Sequence, residues 1–221
     1  MTREAYHKQL KDVQDDLSRL AEMVAIALKD SMDALGKRDI EASSRIIKND
    51  VFVNNRRFEI EERCIYLIAT QQPMAVDLRT LAAIINVVTD LERIGDHAEG
   101  IARISISIGD KPLVKPLVDM PVMAAKAMSM LTRCMQAFIE RDAETAKMIC
   151  DEDDEVDALY DAIYDELIHL MIENPQMIKE ATYLIWAAHN IERIADRVTN
   201  IAERVVYMVT GKMQEMNVSK Y

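Results

Sequence analysis

The chain has 221 residues, half of them apolar and 29% charged, with five Gly, five Pro and 5% aromatics. So few chain breakers exclude an all-β sandwich, a collagen or a disordered linker, and the length suits one or two ordinary domains that need no disulfide or metal to pack. Twenty-seven basic residues against 38 acidic ones leave a net charge of −11, which argues against nucleic acid as a partner, and no basic patch is segregated along the chain.

The start, MTREAYHKQLKDV, lacks the basic region and apolar core of a secretion signal. Apolar stretches such as Met23 to Leu28 run to about six residues, against the ~20 that span a bilayer. Cys64, Cys134 and Cys150 are odd in number, widely spaced and without a CxxC, as expected of buried thiols in a reducing compartment. A soluble, cytoplasmic protein is the expectation.

Taken in order, the breakers predict six long helices: 4–36, 39–71, 75–109, 117–140, 142–173 and 176–210. Gly36 and Asp39 mark the first turn, and Gln71-Gln72-Pro73 the second. Gly109 to Pro116 form a linker, and Arg141-Asp142 and Asn174-Pro175 mark the last two turns. Proline is expelled from helix interiors because it lacks an N–H and clashes with the preceding turn, so the long Pro-free spans permit long helices. In the third helix Leu81, Ile84, Val88, Leu91, Gly95, Ala98, Ala102 and Ser105 step by three or four, the spacing of one helical face. Short turns between long helices predict antiparallel neighbours. Beyond Gly211 the tail is expected to fray.

The chain also repeats itself. Residues 90–102, DLERIGDHAEGIA, align with 190–202, NIERIADRVTNIA, at an offset of 100. Upstream the offset is 103: Arg38-Asp39 matches Arg141-Asp142, and Asp50 and Val53 match Asp153 and Val156. The expected fold is therefore all-α, two tandem, pseudo-symmetric three-helix bundles, with residues 1–110 in the first, 111–215 in the second and a flexible tail at 216–221.

The repeat preserves acids as well as core positions. Glu92 and Asp96, like Glu192 and Asp196, sit four apart and so nearly above one another on a helix. The preceding helices carry Asp50/Asn54 and Asp153/Asp157. Antiparallel packing would set two ladders of oxygen ligands across a groove, the donor type that hard cations take. A lone Glu-x-x-x-Asp is ordinarily solvated surface. Here the pair recurs in both halves, and Asp153, Asp157, Asp161 and Asp165 form an unbroken i, i+4 series. Each like-charge step costs about 0.2–0.5 kcal/mol, which a cation would offset. The Glu4/His7 and Glu166/His169 pairs have the Glu-x-x-His spacing of di-iron bundles. Neither recurs in the other half, so chance explains them better. Arg93 and Arg193 are expected to pair with neighbouring acids. There is no Walker A loop, no GxSxG and no Cys/His pair at catalytic spacing, so no enzyme is predicted.

Together with TQQPMAVDLRTL at 70–81, the DLERIGDHAEGIA segment and its echo resemble the PhoU family of phosphate-transport accessory proteins. The resemblance covers the chain from near Leu20 to about Val209. It implies a cytoplasmic, usually dimeric bundle protein that restrains the phosphate-starvation (Pho) response. In that role it links the ATPase subunit of the phosphate ABC transporter to a phosphate-sensing histidine kinase, and meets the membrane only through those partners. It also implies surface metal clusters holding iron, Mn, Mg or Zn on E/D-xxx-D motifs. Glu92 and Asp96, Glu192 and Asp196, and Asp153 and Asp157 match that motif. Asp50 matches too, with Asn54 in place of the second acid. The alternative reading is a ferritin-like metal-dependent oxidoreductase or metal store, which would need Glu and His on four helices of one bundle.

Overall fold

The computed structural model describes residues 3–216. Its helices are α1 (Arg3–Lys37), α2 (Ile40–Gln71), α3 (Val76–Ile108), α4 (Asp119–Glu140), α5 (Ala143–Asp151), α6 (Asp153–Glu173) and α7 (Ile178–Thr210), with a short 3-10 turn at Pro175–Met177. The fold is all-α. In the first bundle α1, α2 and α3 pack on one another, and in the second α4, α5 and α6 pack on α7.

The repeat is visible in the turns. Arg38 and Arg141, 103 apart, both take left-handed backbone (φ 58° and 57°). The aspartate after each caps the next helix: Asp39 accepts from Ala42 N–H at 2.9 Å, and Asp142 from Glu144 and Thr145 N–H at 3.0 Å. Such caps satisfy backbone donors that have no partner within the helix.

One predicted helix is broken. The span 142–173 splits at Glu152, where Glu155 N–H bonds back to Glu152 C=O and tightens the turn. Five consecutive acids, Asp151 to Glu155, occupy this joint. Their mutual repulsion disfavours regular α-geometry, whereas α2 runs unbroken through the equivalent Asn49. The tail also differs from expectation. Over 211–216 it folds back, with Met216 partly buried and its N–H donated to Glu203 at 2.8 Å. The rest of the expected flexible tail, 217–221, lies outside the described residues.

The two bundles meet along α3 and α7, the most extensively packed helix pair. These helices run antiparallel, since Arg79 reaches Met208 C=O, Asp90 faces Arg197 at 3.6 Å, and His97 bonds Asn190 at 3.0 Å. The repeat exchanges two of these contacts: Asp90/Arg197 becomes Asn190/His97. A pseudo-twofold axis therefore passes between them. Leu91, Ile94, Ala98, Ile191, Ile194 and Val198 are fully buried, within one apolar cluster that includes residues of every helix. All three cysteines are buried and unpaired. Among the described residues no helix is long and apolar enough to cross a membrane.

Candidate metal centre

The predicted ligands fall into two clusters, one per bundle. In the first, Asp50 and Asn54 on α2 face Glu92 and Asp96 on α3. Burial raises the Asp50 carboxyl above its ordinary range, and the charges of Asp96, Glu99 and Glu92 add to the rise. Asn54 opposes them by donating its side-chain N–H to Asp50 Oδ2 at 2.7 Å. Glu99 escaped the sequence reading because its repeat partner is Thr199, although it lies one turn beyond Asp96 on the same face. It is held by Arg103.

In the second cluster Asp153 and Asp157 on α6 face Glu192 and Asp196 on α7. Asp153 is 1% exposed and Glu192 6%. Burial pushes Glu192 up to about 7, reinforced by Asp196, opposed by Arg193, and raised further by Asp157 and Asp153. Asp157 is likewise raised, first by burial and then by Asp196, Asp154 and Asp161. His189 brings Nδ1 to 3.4 Å from Glu192 Oε2. It too was missed, since Thr89 stands at the equivalent place.

Arg93 and Arg193 pair as expected, with Asp96 at 2.9 Å and Asp196 at 2.8 Å. Glu92 Oε2 and Glu192 Oε2 are buried and accept no hydrogen bond among the described residues, although the neighbouring guanidinium lies 3.6 and 3.7 Å away. Asp50, Asp157 and Glu192, which burial and then neighbouring acids make reluctant to ionise, together with buried oxygens lacking donors, fit an all-oxygen site for a hard cation. Among the described residues, however, no three Asp, Glu, His or Cys side chains converge as a ready-made metal group. The Glu-x-x-His pairs contribute nothing to such a site. Glu166 is engaged by Lys115, and His169 lies exposed with its ring nitrogen on Asp165 C=O.

The QQP…DLR segment proves largely structural. Gln72 and Ala75 bend the chain with positive φ (47° and 43°), the charge of Asp77 adds to the burial that raises the Tyr6 hydroxyl, and Arg79 caps the end of α7 at Met208 C=O.

A family model for the PhoU domain matches residues 17–105 and again 120–205. The chain belongs to the PhoU family. It is 37% identical to the phosphate-specific transport system accessory protein PhoU homolog of Clostridium acetobutylicum, over 98% of this chain and all of that protein. The crystal structure of PhoU from Pseudomonas aeruginosa superposes with a TM-score of 0.87 at 32% identity, covering 94% of this chain and 100% of that one. That of the phosphate transport system regulatory protein PhoU from Streptococcus pneumoniae gives 0.89 at 30% identity, covering 95% and 99%.

Glu192 is expected to make the second bundle sensitive to pH. Its folded pKa of about 7 exceeds the ordinary 4.5, so the folded state holds the proton more tightly. The associated stability is therefore complete below about pH 4.5 and is lost as pH rises through about 7. Discounted for solvent screening at the cluster's open side, the loss is on the order of 1 kcal/mol, or about 2–4 °C in Tm. Melts of chelated protein at pH 5 and pH 8 should show this decline in the wild type, and Glu192→Gln should remove it. An identical decline in both would mean that another group titrates.

Proposed function

We propose that the protein is a cytoplasmic regulatory accessory component of a phosphate transport system, acting by docking rather than catalysis. The observation that carries this reading is the near full-length likeness to PhoU proteins named as accessory and regulatory components of that system. In finer detail, it is a negative regulator of the phosphate-starvation genes and couples the transporter's ATPase subunit to a phosphate-sensing histidine kinase, working as a homodimer. A net charge of −11 supports protein partners over nucleic acid.

Divalent or iron cations belong to the same proposal. Asp50, Asn54, Glu92 and Asp96 would hold one cluster, and Asp153, Asp157, Glu192 and Asp196 the other. The cation would supply positive charge that ties α2 to α3 and α6 to α7.

Deleting the gene tests the reading. The starvation genes are expected to stay on in high phosphate, measured as their transcripts, and restoring the wild-type chain should switch them off. Normal repression in the deletion strain would remove the regulatory reading.

A further inference from the structure

The two bundles differ sharply at one equivalent place. In the first, an open groove of about 340 Å³ runs between α1 and α2 over α3. Its apolar walls are Met23, Ile26 and Phe52, the last two 58% and 59% exposed. Carboxylates of Asp30, Asp50 and Glu99 stand at its edge.

The second bundle closes the same place with ion pairs. At the offset of 103, Met23 and Phe52 correspond to Lys126 and Glu155, and Asp30 and Asn49 to Arg133 and Glu152. Lys126 pairs with Glu155 across the groove, and Arg133 forks onto Glu152, with one of its two bonds at 2.8 Å. The floor differs as well. Gly95 becomes Ala195, and a Cβ at 95 would meet Val53 Cγ1 at 3.1 Å. The groove thus goes with these side chains and with the unbroken α2, since the sealed half carries the ion pairs and the joint at Glu152 in the same place.

We propose that this groove docks a cationic amphipathic helix of a partner protein, with apolar anchors between Met23, Ile26 and Phe52 and Lys or Arg side chains on the edge carboxylates. A helix laid into an apolar groove is a recurrent recognition mode, and the charge of the edge selects the partner's sign. Asp30, which makes no ion pair among the described residues, stands where Arg133 seals the other half. A second copy suits the groove poorly, because twofold contact would press these acids of one protomer against the same acids of its partner. The proposal gives the adaptor reading a surface, and rests on it only for the existence of a partner.

The probe is a labelled helical peptide of about 14 Leu and Lys residues, with a Glu-for-Lys counterpart, read by fluorescence anisotropy in chelator at about 0.15 M salt. The Lys peptide should bind one to one and the Glu peptide should not. Met23→Lys with Phe52→Glu copies the sealed half and should weaken binding at least tenfold, while circular dichroism and Tm report an intact fold. Ile26→Ser, copying Ser129, should weaken it about threefold.

The proposal is overturned if the wild type does not bind the Lys peptide, or if binding survives Met23→Lys/Phe52→Glu unchanged, as it would on the acidic α6 face. Equal binding of the Glu peptide also overturns it. So does a wild-type dimer that the double substitution turns monomeric by sedimentation, since a second copy would then cover the groove. Failure here leaves the deletion phenotype standing, so the groove and the regulatory reading fail separately.

Discussion

Divalent metal added to chelated protein is expected to raise Tm by about 5–10 °C, and most of that gain should come from the second bundle. A ligand at a hundred times its Kd stabilises the state it binds by about 2.7 kcal/mol, which in a chain of this size corresponds to that shift. The second cluster offers four carboxylates, Asp153, Asp157, Glu192 and Asp196, with Asp154 and Asp161 adding to the field at Asp157. The first offers Asp50, Glu92 and Asp96, and Asn54 spends its amide on Asp50. Glu99 narrows the gap, although Arg103 holds it. Ligand charge strengthens hard-cation binding, and relief of repulsion adds to it. Asp153→Asn with Asp157→Asn should therefore abolish most of the gain. Asn54→Asp should tighten the first cluster several-fold while lowering Tm without metal, because a donor to Asp50 becomes a like charge. Equal affinities in the two halves would refute the inequality. A gain untouched by the Asp153/Asp157 change would make the α6 ladder a solvated acidic face.

What the sequence revealed divides along physical lines. Helices were legible because Gly and Pro sit only at turns, and the doubled architecture because ERIGD and ERIAD carry the same buried and acidic positions. The break at Glu152 was not legible: Asp and Glu carry no breaker signal singly, and only five in a row at a packed joint tighten the turn. The joining of α3 to α7 was hidden as well. Asp90–Arg197 and His97–Asn190 are separated by about a hundred residues in the chain, and only the pseudo-twofold crossing makes them neighbours.

The site shows the same division. Spacing alone stacked Glu92 over Asp96 and Glu192 over Asp196, because i, i+4 geometry is fixed by the helix itself, whereas their nearness to Asp50 and to Asp153 and Asp157 depends on how α3 packs on α2 and α7 on α6. Glu99 and His189 were invisible to a search for repeated residues, since each occurs in one half only. The groove is a further case. Met23/Phe52 against Lys126/Glu155 is plain in the aligned repeat, but nothing in one dimension says that positions 23 and 52 face each other across α3.

The packing of α3 on α7 has a consequence for unfolding. Ile94→Ala and Ile194→Ala are each expected to cost about 2–5 kcal/mol, the loss of buried methylenes plus the cavity left behind. In Tm this is a drop of roughly 5–15 °C. Both side chains are fully buried, in equivalent helices, within one apolar cluster that includes residues of every helix. If the bundles were independent domains, calorimetry would resolve two transitions, and each substitution would lower one and spare the other. With α3 and α7 forming the most extensive interface, losing either bundle strips the apolar face of the other's central helix. The transferred exposure then carries both below stability together. A single transition, shifted by a similar amount in either variant, is the expected result by calorimetry and by far-ultraviolet circular dichroism. Two resolved transitions would show that the seam is an interface between separately stable units, with its buried area too weakly packed to couple them.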